Sequence, residues 1–300
     1  MQFPGEALVI RLWDSVEKLS IGALNPYQQK RLENQRRSSE ISELLHENKL
    51  AEISSDLELL RNNPDIPDSV SSTLAAVAEK RNREEKNVIS SIAYAQASLE
   101  DGGATGREGA IDTDWMNRWY DYASRVTNDD LQQLWGKILA GEVRKENSVS
   151  YRLMDFIDKL TSTEIDEISL ILSMVETSNL ILFRGEKHVE KFFEQNGIDS
   201  NCIQKYTDLG VLGSSTTGIV NVTTNLDFTK FNYFTFNYAG CSFQLSLKQE
   251  QNESKSIRYY SLGTMGQSLM HLSNYTFNQS YLDSLSKDLL EENIVSTQCS

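Results

Sequence analysis

Three of the chain's four tryptophans, Trp115, Trp119 and Trp135, fall within twenty-one residues, and this concentration constrains the fold more than any other feature. Large aromatic side chains dominate the energetics of an interior, and a buried indole N–H needs an acceptor. The surrounding residues carry helical spacing. Trp115, Trp119, Tyr122 and Val126 share one face. Thr127-Asn128-Asp129-Asp130 then has the form of a capping box, with Asp in the usual Glu place. Leu131, Leu134, Trp135, Ile138 and Leu139 share the face of the next helix, and Gly141 is placed to terminate it or to let it pack closely. A third helix over 148–160 turns Leu153, Phe156, Ile157 and Leu160 inward. Residues 114–160 are therefore expected to form a compact helical core, each large buried side chain contributing roughly 1.5–3 kcal/mol.

Ahead of this core, residues 1–100 read as an N-terminal helix followed by a helical hairpin arm. Phe3, Leu8, Leu12, Trp13, Val16 and Leu19 recur at helical spacing until Gly22 and Pro26 end the pattern. Leu12 and Trp13 beside Arg11 and Lys18 suit packing on the next element, or an in-plane membrane or partner-binding helix; the acids Glu6, Asp14 and Glu17 weigh against the membrane. The first arm of the hairpin spans 27–60, where Leu50, Ile53, Leu57 and Leu60 step by three and four. Pro64 and Pro67 break the chain. A helix from about residue 68 then carries the near-heptad stripe Val70, Leu74, Val77, Arg81, Glu84, Val88, Ile92, Ala95 and Leu99. This stripe supports two readings, an antiparallel hairpin with a solvated middle or a self-associating coiled coil. In the second, these residues form the interface of a homo-oligomer, and Arg81 and Glu84 set its register. Four glycines within 100–113 forbid a stable helix, so residues 101–113 are expected to be a hinge. No Gly-Lys-Ser/Thr ending is present, which excludes a phosphate loop there.

Residues 161–300 alternate helix and strand signals. Thr161-Ser-Thr-Glu164 is a capping box, and Ile165, Ile168, Leu172 and Val175 follow at helical spacing. A short strand over 180–183, a helix closed by Asn196-Gly197 and another closed by Gly210 come next. Phe234, Phe236, Tyr238, Ala239-Gly240, Cys241, Phe243, Leu245 and Leu247 read as a hairpin, 257–262 as a third strand, and Gly263 to Leu272 as a helix. Helix, strand, two helices, hairpin and strand is the order of a winged helix. The fold class is thus mainly α with a small α+β part. Its recognition helix would present Asn201, Gln204 and Lys205, with Ser200 and Thr207. Affinity for DNA, however, comes mainly from neutralising phosphates, and residues 161–220 hold four basic against nine acidic residues. Protein contact is the favoured role of the module, with nucleic-acid binding the alternative.

Composition adds exclusions. A formal charge of -14 opposes general nucleic-acid affinity, and no apolar run is long enough to span a bilayer. Cys202, Cys241 and Cys299 are odd in number and widely spaced, which fits a reducing, cytoplasmic setting and offers no metal or redox pair. His46, His188 and His271 show no ligand spacing. No nucleotide, nucleophile-elbow or metalloprotease motif can be read, so no catalytic residue, cofactor or metal is expected and the chain reads as a non-enzyme.

The run Asp112-Thr-Asp-Trp-Met-Asn-Arg-Trp-Tyr, followed by Leu131-Gln-Gln-Leu-Trp-Gly-Lys-Ile-Leu-Ala-Gly-Glu142, resembles an uncharacterised bacterial family, the domain of unknown function numbered twenty-eight hundred and six. Trp115, Trp119, Leu134, Trp135, Gly136, Gly141 and Glu142 carry the likeness, and Pro4-Gly5-Glu6 with Leu12-Trp13 looks like the family's opening segment. Lys145-Glu146-Asn147-Ser148 stands where the family has a proline-glycine-serine turn, so the loop there departs from the pattern. The resemblance implies a bacterial cytoplasmic protein and no established activity. Proteins of this helical plan also look similar to components of phage-defence loci. The expected function is a non-enzymatic interaction or regulatory protein, contacting itself and another protein.

Overall fold

The computed structural model describes residues 6–17, 19, 67–100, 111–213, 222–238, 241–248, 254–272 and 276–299. The first hairpin arm and most of the Gly-rich segment lie outside them. The chain forms two compact units, Met1–Asp158 and Lys159–Ser300.

The first unit is helical: α1 (Glu6–Glu17), α2 (Asp68–Glu100), α3 (Thr113–Ala123), α4 (Asp129–Arg144) and α5 (Tyr151–Asp158). Asp112 caps α3 by accepting the Trp115 N–H, and Asn128 caps α4 by accepting that of Leu131. The cap of α4 therefore sits one residue beyond Thr127, where the box pattern put it. Nor does Gly141 end α4, which runs on to Arg144. Both Trp119 and Trp135 are fully buried; the Trp119 indole donates to the Trp135 carbonyl at 2.9 Å and that of Trp115 to the Val149 carbonyl at 2.9 Å. Close approach of α2 and α4 depends on Gly136. A Cβ there would lie 2.6 Å from the Tyr94 Cβ and 2.7 Å from the Ser91 carbonyl oxygen.

These contacts revise the picture of an arm hinged to a separate core. Val88, Ile92, Ala95 and Leu99 of α2 are buried within the same unit as the tryptophans. Helix α1 is interior too. Leu8, Leu12 and Val16 are buried, the Trp13 indole donates to Gln96 Oε1 at 3.1 Å, and Arg11 donates to the Val143 carbonyl at 2.8 Å. That carbonyl lies in the last turn of α4, where the helix dipole favours a cation. At the near end of the expected hinge, Ile111 is buried and its N–H donates to Ser15 Oγ at 2.8 Å, so residues 111–113 are fixed.

The second unit contains α6 (Ser162–Ser173), β1 (Ile181–Phe183), α7 (Lys187–Gln195), α8 (Ser200–Asp208), β2 (Val222–Asp227), β3 (Tyr233–Tyr238), β4 (Cys241–Leu247), β5 (Ser254–Ser261), α9 (Thr264–Leu272), α10 (Gln279–Glu291) and β6 (Ile294–Cys299). Thr161 and Glu164 form the reciprocal capping box their spacing indicates. The strands make two antiparallel three-stranded sheets, ordered β1-β5-β2 and β3-β4-β6. The hairpin β3–β4 thus belongs to a different sheet from β5. Strand β4 instead pairs with β6 over six residues, and β5 pairs with β2; the sequence pattern had marked neither partner.

Candidate functional site

The would-be recognition helix α8 begins at the Asp199 cap, whose carboxylate accepts the Cys202 N–H. Ile203 and Tyr206 turn inward, which leaves Asn201 and Gln204 exposed. Gln204 donates to Asp208 on its own helix at 2.8 Å. Lys205, the one basic residue of α8, lies 3.3 Å from Glu164 and 3.1 Å from Glu167, both on α6. The Tyr206 phenol also donates to Glu167 and holds that carboxyl below its ordinary range, with Lys205 adding to the effect. Glu164 is held low mainly by the Thr161 backbone N–H and hydroxyl. Burial pushes the Cys202 thiol up to about 11, so it stays protonated and unreactive at neutral pH. The three residues meet on one helix, but the cation is already paired.

The stripe on α2 splits in two. Val88, Ile92 and Leu99 belong to the interior of the first unit, which corrects their assignment to an interface between chains. Val70, Leu74 and Val77 are 46%, 38% and 59% exposed and share one face of the helix's first half. Arg81 pairs with Glu85 and Lys80 with Glu84, each four residues along the same helix. Leu12 and Trp13, assigned to a membrane or partner-binding helix, instead pack within the unit, because α1 turns its apolar face inward. No described helix is long and apolar enough to cross a membrane.

Sequence reasoning named Glu142 only as a family residue and missed Asp288 and Glu176, buried carboxylates that organise the second unit's backbone. Asp288 accepts the N–H groups of Glu186, His188 and Val189 at 2.8, 2.8 and 2.9 Å, capping α7 from α10. Gly185, at φ 63°, permits this approach, since a Cβ there would meet the Asp288 carboxylate at 2.8 Å. His188 Nε2 lies 3.2 Å from Glu291, so His188, Asp288 and Glu291 bring ligand-type atoms within 4.8 Å of one another. The positive end of α7 points into this cluster, and the carboxylate of Asp288 answers it; a cation would face that same positive end. The arrangement is that of a helix cap. Its signal was an acid on the inward face of α10, three residues after Leu285 and one before Leu289.

Glu176 plays the same part elsewhere in the unit, accepting the N–H groups of Ser178, Asn179 and Asn237 at 2.9, 2.6 and 2.8 Å. In the first unit, Glu142 accepts those of Asn147 and Val149 at 2.5 and 3.1 Å. Asn147, at φ 59°, takes the left-handed position of the loop that stands in for the proline-glycine-serine turn. Trp115, Trp119, Trp135, Gly136 and Glu142 are all buried in this unit, with Leu134 and Gly141 half-buried. The family residues shape a core and its adjoining loop. A small pocket lined by Phe183, Phe236, Tyr238, Phe243 and Leu282 in the second unit has room for about one water molecule.

Fold and cluster together define a mainly helical protein with two small antiparallel sheets and buried carboxylate caps. The chain belongs to the family described as Protein of unknown function (DUF2806), which matches residues 75–286. No curated protein and no solved structure shows a significant match.

Proposed function

We propose that this chain works as a non-enzymatic protein-interaction module, with a winged-helix plan in its second unit used for protein contact. The order α6, β1, α7, α8, β2, β5, with the sheet arranged β1-β5-β2, supports the winged-helix plan; β3 and β4 are then an insertion between its two wing strands. The observation that carries the contact role is the pairing of Lys205 with Glu164 and Glu167. A duplex would have to break that pair to gain one phosphate contact. In this reading, duplex DNA binds no tighter than about 10⁻⁴–10⁻⁶ M near physiological salt, the usual non-specific range. Submicromolar affinity that is lost in Lys205→Glu would overturn it in favour of a nucleic-acid regulator.

The chain's own copies are a second proposed contact, through Val70, Leu74 and Val77 at the start of α2. Three apolar side chains exposed along two turns support an interface. Light scattering on the intact protein is expected to give an oligomer that Leu74→Asp with Val77→Asp converts to a folded monomer. A monomeric mass for the unmodified chain at tens of micromolar removes self-association and leaves the α8 surface as the contact. A bacterial phage-defence role rests on the family resemblance alone.

A further inference from the structure

We draw no further inference here: the strongest candidate, the open edge of β3 at Tyr233 and Thr235 with exposed Phe231 and Tyr233 beside it, carries nothing because no feature of the structure shows what covers it.

Discussion

Glu142 in the first unit and Asp288 in the second are both buried carboxylates that gather backbone N–H groups, yet they work over very different ranges. Glu142 reaches five to seven residues along its own chain. Asp288 reaches back about a hundred, and Glu176 forward sixty-one to Asn237. The first unit is held by helix faces in close contact, and its long-range polar ties, such as Arg11 to the Val143 carbonyl and Trp13 to Gln96, run between those packed helices rather than through a carboxylate. In the second unit, the buried carboxylates Asp288 and Glu176 join segments far apart in sequence. One unit is a packing problem; the other is a wiring problem.

The sharpest way to break this contrast lies within α2. Ile92→Asp places an unpaired charge in the first unit's interior and is expected to cost about 5 kcal/mol, whereas Leu74→Asp on the same helix leaves it folded. Circular dichroism with denaturant titration separates them, and equal losses would mean the exposed half of the stripe is not a surface. Next comes Asp288→Ala, expected to cost about 3 kcal/mol because three backbone donors lose their acceptor. Hydrogen exchange should speed up at the amides of Glu186, His188 and Val189. Unchanged protection at all three would show that the cap is ornamental and the wiring view wrong.

Gly136→Ala tests the packing side, at about 2 kcal/mol, since neither the Tyr94 Cβ nor the Ser91 carbonyl can retreat without moving α2. A stabilising outcome, the usual reward for removing a helical glycine, would refute the close approach. The smallest effect is electrostatic. Glu164 and Glu167 sit below their ordinary value of 4.5, so their contribution is present above that range and fades as pH falls through their lowered values. Thermal melts from about pH 6 to about pH 3 should show a shallower acid loss for Tyr206→Phe than for the unmodified chain. Parallel curves would detach Tyr206 from the ionisation of Glu167.

What could be read in advance follows the same division. The Thr161–Glu164 box, the Trp-bearing helices and the paired strands β3 and β4 are written in residues a few positions apart, and each is present, with the α4 cap shifted by one residue. Strand β2, Val-Thr-Thr-Asn-Leu-Asp, has no apolar alternation, and pairing with β5 defines it. Helix α10 went unread, although Tyr281, Leu282, Leu285 and Leu289 keep helical spacing behind the Asn278 cap, and nothing local revealed that its Asp288 serves another helix. The stripe misled for a related reason. A heptad pattern marks an apolar seam without saying whether the seam closes on a neighbouring helix or on a second chain.

The pairing of β4 with β6 has a consequence for biosynthesis. Leu247 and Ile294 are register partners, so at 5–20 residues per second β4 waits roughly 2 to 10 seconds for its neighbour to be translated. Until then the nascent hairpin can pair on that side with any strand it meets, including one from an adjacent polysome product. The first unit, already translated in full, is under no such delay. Expression yield should therefore respond to slow codons placed between β4 and β6 far more than to the same codons placed within α4.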